Sequence, residues 1–223
     1  MTTYLSAEKP YRGIGMEGAI ARWYAGLTKK SLDEFTALAR RVSETLPAGS
    51  RVLEIAPGPG YFAIELAKRG EYRITGLDIS GTMVQLARTH AAEANCVIDF
   101  QHGDAAHMPF EGRTFDYIMC RAAFKNFTQP VRALEEMYRV LKPGGQAVII
   151  DLRRNASQES IHTAVAQMKL GRVNAFVTRQ TFRFILLRRA YTKSDFAQMI
   201  AQTKFHAVEM REDSIGLEIT LTK

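Results

Sequence analysis

The spacing of apolar positions changes character several times along the chain. Between residues 16 and 46, Ala19, Trp23 and Leu27, then Leu32, Phe35, Leu38, Ala39, Val42 and Leu46 fall near helical intervals, and Pro47-Ala48-Gly49 ends the run. Trp23 is expected to mark a buried face of this segment. Beyond residue 50 the pattern shortens. RVLEIAPGPG reads as an apolar strand entering a glycine and proline loop, and YFAIELAKRG as an amphipathic helix closed by Gly70. Further strands are expected at YRITGLDIS, CVIDFQHGD, TFDYIMC and QAVIIDLRR, with helices at GTMVQLARTHAAEA and QPVRALEEMYRVLKPGG, the latter stopped by its proline and glycines. Alternation of this kind predicts an α/β fold: a Rossmann-like, mostly parallel sheet with helices on both faces.

After Arg154 the alternation stops. Residues 157–189 read as helical without a strand partner, TKSDFAQMIAQ as a capped helix beginning near Ser194, and FHAVEMRED with IGLEITLTK as a terminal antiparallel pair. The expected sheet therefore has seven strands in one domain over residues 1–223. An N-terminal helical cap occupies 1–47 and the core 48–154. A helical lid inserted after the fifth strand fills 155–190, and the last helix and strand pair occupy 191–223.

Composition narrows the class. With 223 residues, 46% hydrophobic and 24% charged, the chain is neither disordered nor fibrous. Cys96 and Cys120 make no disulfide framework and lack metal-ligand spacing, so no metal site is expected. No run of eighteen apolar residues and no leader-like N-terminus is present, which predicts a cytoplasmic protein without a transmembrane segment. The net charge of +7 is local: Arg153, Arg154, Lys169, Arg172, Arg179, Arg183, Arg188 and Arg189 face one acid, Glu159, across that stretch. One basic segment in a neutral body suggests an anion site, a face on something acidic, or a solvated row of arginines.

In an open parallel sheet, ligands bind beyond the carboxyl ends of the strands near the switch in strand order. The first such loop reads Glu54-Ile55-Ala56-Pro57-Gly58-Pro59-Gly60, in which glycines admit close backbone approach and prolines stiffen. Gly58-x-Gly60-x-x-Ala63 with Asp78 downstream also matches a dinucleotide fingerprint, so a nucleotide-dependent oxidoreductase is one reading. Glu54, however, stands where a carboxylate faces a cationic group better than a pyrophosphate. Glu54, Asp78 and Asp104 at three successive strand ends suit a ligand carrying an ammonium, a ribose and an exocyclic amine.

That ligand description fits S-adenosylmethionine. VLEIAPGPGYFAIELA, ITGLDIS, GDAAHMPFEGRTFDYIMC and ALEEMYRVLKPGGQAVIID, in this order over residues 50–152, resemble the class I S-adenosylmethionine-dependent methyltransferases. The resemblance implies that Glu54, Ala56, Gly58 and Gly60 line the methionine end and that Asp78 holds the ribose hydroxyls. It further implies that Ile79 and Met83 pack on the adenine, that Gly103, Asp104 and Ala105 contact it, and that Arg121 lies beside the methionyl group. Tyr24, in the cap that folds over the cofactor in related enzymes, joins this set, and Tyr11 is expected to orient donor or acceptor.

Two departures stand out. Ala56 occupies a position where the family usually has glycine, and Cys120-Arg-Ala-Ala-Phe124 replaces the signature of nucleobase and amide N-methylation, which disfavours a nucleic-acid substrate. AFKNFTQPVRALEEMYRVLKPGG is similar to the corresponding stretch of menaquinone and ubiquinone C-methyltransferases, with Lys125 and Asn126 matching a basic residue and an asparagine. The region after Asp151 is not similar to them.

The expected activity is methyl transfer to a small organic acceptor, anionic or aromatic, by in-line displacement, for which collinear positioning supplies much of the catalysis and no catalytic dyad is required. Asn126, Arg153, Arg179 and Arg183, with Tyr11, are the candidate acceptor contacts, because arginine pairs bidentately with carboxylates. The lid's mixture of arginines with large apolar residues equally suits an amphipathic helix packed on the core or on a second subunit, or lying at a membrane surface. A homodimer through lid or cap, and a non-catalytic pocket protein whose basic lid binds RNA or a protein, stand as rival readings.

Overall fold

The computed structural model describes residues 11–12, 15–167, 180 and 186–223. Its seven strands are β1 (Arg51–Ile55), β2 (Arg73–Asp78), β3 (Asp99–His102), β4 (Phe115–Arg121), β5 (Leu141–Leu152), β6 (Ala207–Glu212) and β7 (Gly216–Thr222). They form one sheet in the order β3-β2-β1-β4-β5-β7-β6, in which β7 runs antiparallel to both of its neighbours. The chain starts at β1, works outward to β3, then returns to β4 on the other flank of β1. The strand order therefore reverses between β1 and β4, the point where open parallel sheets bind ligands beyond the carboxyl edge.

Alternation along each central strand divides the core. Leu53 and Ile55 of β1 and Ile118 and Cys120 of β4 join one cluster, together with Leu134 and Met137 of α5 (Pro130–Val140) and Phe196 and Ile200 of α7 (Lys193–Ile200). Val52, Tyr117 and Met119 turn the other way. They meet Val42 of α2 (Leu32–Ser43), Phe62 and Leu66 of α3 (Tyr61–Ala67) and Val84 and Ala87 of α4 (Gly81–Glu93). Each large side chain sealed between the layers, such as Phe62, Phe100 or Leu134, contributes about 1.5–3 kcal/mol of burial.

Caps set the helix starts. The Ser80 hydroxyl accepts from Met83 N–H at the head of α4, and Thr192 with Asp195 forms a reciprocal capping box at the head of α7. α7 thus begins at Lys193, next to the expected Ser194.

Three expectations are modified. The N-terminal helical run divides into α1 (Gly18–Thr28) and α2, joined by a single 3-10 turn at Lys29–Ser31. Trp23 does not face the core: Ala21 and Ala25 are the buried residues of α1, and their small side chains let the helix settle closely while Trp23 stands in solvent. Finally, α5 ends at Val140 rather than running through Gly145. Leu141–Gln146 already belongs to β5, entering through an irregularity where the register jumps from Phe115↔Leu141 to Tyr117↔Gln146. Of the expected lid, α6 (Gln158–Gln167) and a short helical turn at Leu187–Arg189 are present, and Ile161, Val165 and Leu187 pack together. Residues 168–179 and 181–185 of the lid lie outside the described residues.

Candidate active site at the carboxyl edge of the sheet

The loop between β1 and α3 alternates left-handed residues with prolines: Ala56 has φ 53°, Gly58 54° and Gly60 80°. At Gly60 a Cβ would stand 2.9 Å from Phe100 Cζ and 3.0 Å from Ala87 Cβ, so only glycine lets the loop rest on the core. At Gly58 the same construction meets nothing within 4 Å, which leaves a hollow beside the main chain. Ala56 takes the left-handed conformation with its methyl group, at a cost of about 1–2 kcal/mol. Its N–H donates to the Leu77 carbonyl (2.8 Å), which holds the strained turn against β2. His90 Nδ1 lies 2.9 Å from the Pro59 carbonyl oxygen, its ring stacks on Tyr61, and the Tyr61 hydroxyl donates to the Ala25 carbonyl of the cap.

Three predicted acids stand at successive strand ends. Glu54 is buried, and its Oε2 accepts from Ala63 N–H (3.2 Å). Burial pushes its carboxyl up to about 8, against the pull of that N–H and of Arg121 and with a further push from Asp78. Asp78, also buried, accepts from Gly58 N–H (3.0 Å) on one oxygen and from Ser80 N–H (2.9 Å) on the other. Burial raises it to about 6 in spite of those two donors. Asp78 therefore clamps the hollow of the glycine loop to the end of β2. Asp104 is half-exposed and closes a turn, accepting from Ala106 N–H (2.9 Å). Gly103 N–H donates to the Asp78 carbonyl (2.9 Å), Ala105 and Met83 are buried, and Ile79 is half-buried. Glu54, Ala56, Gly58, Gly60, Asp78, Ile79, Met83, Gly103, Asp104 and Ala105 thus gather along the ends of the adjacent strands β1, β2 and β3.

The cap closes over this edge. Glu17 accepts from the Thr82 hydroxyl and from Thr82 N–H (3.1 Å), Gly18 N–H donates to Thr82 Oγ1 (3.1 Å), and the Ser80 hydroxyl donates to the Met16 carbonyl. These bonds strap the cap to the first turn of α4, two residues past Asp78. Burial raises the Tyr24 phenol, with Arg121 pulling it down and Asp151 and Asp78 pushing it up. Burial also raises Tyr11, and Tyr24, Asp78 and Asp151 add to it. Both hydroxyls lie within electrostatic reach of the acids below.

At β4 and β5 the picture differs from expectation. Arg121 does not point freely into the crevice: it pairs with Glu34 of α2 (2.6 Å) and lies 4.5 Å over the Phe35 ring. Arg153 is engaged by the β6–β7 hairpin, donating to the Asp213 (3.1 Å) and Ser214 (3.0 Å) carbonyls, and so is not gathered with the acids. Asn126 is half-buried, its carbonyl accepts from Arg12 N–H (2.7 Å), and Tyr11 bridges to Phe127 beside it. Arg179 and Arg183 lie outside the described residues. A pair with no assigned role completes the edge: Lys125 Nζ donates to Asp151 Oδ1 (2.7 Å) with both side chains buried, and Lys125 N–H donates to Asp151 Oδ2 (2.9 Å). The signal for Asp151 was present in Ala147-Val-Ile-Ile-Asp151, an apolar strand that ends on an acid just as β2 does.

Comparisons with known proteins identify the family and the fold. Residues 52–145 match the family described as a methyltransferase domain. A demethylmenaquinone methyltransferase of Deinococcus radiodurans is 35% identical over 162 residues, covering 70% of this chain and 67% of that protein. One from Chlorobaculum tepidum is 31% identical over 69% of this chain and 62% of its own length. In structure, a Methanococcus maripaludis protein described as an S-adenosyl-L-methionine-dependent methyltransferase superposes with a TM-score of 0.75 at 22% identity, over 95% of this chain and 97% of that one. The residues suit such a cofactor: the hollow at Gly58 admits a ligand against the main chain, and Asp78 presents a buried carboxylate beside it. The chain belongs to the class I S-adenosylmethionine-dependent methyltransferases, and S-adenosylmethionine is its cofactor. No helix among the described residues is long and apolar enough to cross a membrane.

Proposed function

We propose that the chain methylates a ring carbon of an electron-rich aromatic hydroxy compound of the quinol type. The single observation that carries this reading is the buried Lys125–Asp151 pair, set among Phe124, Phe127 and Tyr191 where β4 and β5 end. The names of the relatives support the same acceptor class.

S-adenosylmethionine, when bound, supplies an electrophilic methyl group on a sulfonium. The chain's own residues hold and orient. Asp78 accepts from ribose hydroxyls, Glu54 and the Gly58–Gly60 main chain receive the amino-acid end, and Ile79, Met83, Gly103, Asp104 and Ala105 enclose the base. Arg121 fixes α2 against the methionyl side through Glu34. Tyr11 and Tyr24, whose phenols are raised, stay protonated at neutral pH and donate hydrogen bonds to an acceptor oxygen rather than removing its proton. Lys125, paired with Asp151, sets a buried dipole without a free charge at the ends of β4 and β5, and Asn126 orients the acceptor's second oxygen. Collinear placement of acceptor carbon and donor methyl then supplies the rate, and the ring proton displaced by the methyl group leaves to water as the ring regains its aromaticity.

The test is an incubation with S-adenosylmethionine and a chemically reduced 1,4-naphthoquinol, read by mass spectrometry and by the loss of the ring proton in NMR. Methylation at carbon is expected. Exclusive O-methylation, or turnover only with a carboxylate-bearing acceptor, would replace this reading with one in which the basic lid selects an anion.

A further inference from the structure

Five large apolar side chains are exposed among the described residues, and three belong to one helix: Ile20 (44%), Trp23 (66%) and Leu27 (46%) of α1. They fall at i, i+3 and i+7, so they form a single stripe on the outer face of the cap. Val97, in the loop before β3, and Val208, on β6, are the other two. The same row continues to Lys30, and from Gly18 to Ser31 the sequence holds Arg22, Lys29 and Lys30 with no acid. Tyr24, four residues after Ile20 and three before Leu27, lies between the stripe and the buried face, with its phenol in the field of Asp78 and Asp151. The stripe thus borders the side of the cap that covers the site.

We infer that α1 is a docking surface for an anionic lipid bilayer. Apolar side chains around a tryptophan, with Arg22 on the helix and Lys29 and Lys30 at its end, while the bordering acids Glu17 and Glu34 are tied to Thr82 and Arg121, have the composition of a helix that lies in the headgroup region, where indole is favoured and lysine ammonium groups reach the lipid phosphates. At 11 residues α1 is far too short to span a bilayer, so it rests on one. A second copy of the chain fits the surface worse. A two-fold contact through this stripe would set Arg22, Lys29 and Lys30 against the same cations of the partner. The inference gives the quinol reading a route for a lipophilic acceptor, yet its test contains no acceptor, so either can fail without the other.

Trp23 is the sole tryptophan, and its emission reports the stripe directly. The full chain is titrated with quinone-free vesicles of phosphatidylglycerol and phosphatidylcholine. A blue shift, quenching by brominated lipid and cosedimentation are expected, all weaker with phosphatidylcholine alone and in high salt. Lys29→Glu with Lys30→Glu should lower the partition coefficient at least about tenfold. Ile20→Ser with Leu27→Ser should do the same. S-adenosylhomocysteine affinity, unchanged in both variants, certifies their folding. An emission spectrum indifferent to anionic vesicles overturns the inference. So does a blue shift that develops with protein concentration in the absence of lipid, tracking a dimer in sedimentation velocity.

Discussion

At the ends of β1 and β2 the chain shapes its site with main chain, whereas at the ends of β4 and β5 it uses side chains brought from far apart. In the first region, three left-handed residues within five positions bend the loop, and Asp78 fastens it through Gly58 N–H. In the second, Lys125 meets Asp151 across 26 positions and Arg121 turns to Glu34 across 87. The first region is built within consecutive residues and the second from pairings between distant ones, and the architecture by itself leaves the acceptor open.

The largest expected effect breaks the second region alone. Lys125→Met leaves the Asp151 carboxylate buried without its cation and should cost about 3–5 kcal/mol in urea unfolding. Adding Asp151→Asn removes the buried charge and keeps an oxygen for one of the two N–H groups, of residue 125 or Leu152, that the carboxylate accepts, and should recover part of that loss. A double variant as unstable as the single one would show that Lys125 is held by packing rather than by charge.

In the first region, Glu54 ties stability to pH. Its carboxyl moves from the ordinary 4.5 to about 8 on folding, so between these values the folded chain keeps a proton that the unfolded chain has released. Stability therefore falls as pH rises through that window and levels off above it. Glu54→Gln retains an acceptor for Ala63 N–H and removes the slope, so at pH 9 it should exceed the wild type by on the order of 3 kcal/mol, with a smaller gain at pH 6. Parallel melting profiles for the two proteins over pH 6–9 would contradict the burial of an ionisable Glu54.

The smallest effect concerns the strained turn. Ala56→Gly relieves a left-handed alanine while loosening the unfolded chain, for a net gain of about 0.5–1 kcal/mol. A loss of stability instead would mean that the Ala56 methyl packs usefully against its surroundings.

How much of this was legible in the sequence follows the same division. The loop after β1, the acids Glu54, Asp78 and Asp104, and the order of strands and helices are written in consecutive residues, where spacing and turn chemistry act directly. The Lys125–Asp151 pair was not, because neither residue signals its partner until β4 and β5 lie side by side. Arg153 looked available from charge and Arg121 from its place in the resemblance, yet each has a near partner, the hairpin carbonyls for one and Glu34 for the other. Trp23 reversed a sound rule of burial, because the paired alanines Ala21 and Ala25 offered a closer fit to the core. The early start of β5 at Leu141 depended on a register jump that periodicity does not reveal.

The most direct measurement is calorimetric titration of S-adenosylhomocysteine into the wild type and Asp78→Asn. Asparagine preserves shape and one acceptor but removes the charge that two ribose hydroxyls would meet. Binding about 100-fold weaker in the variant is the predicted result, alongside a melting temperature lowered by the one N–H group, of Gly58 or Ser80, that asparagine leaves without an acceptor. Equal affinity for both proteins would contradict the assignment of the cofactor to the edge formed by β1, β2 and β3.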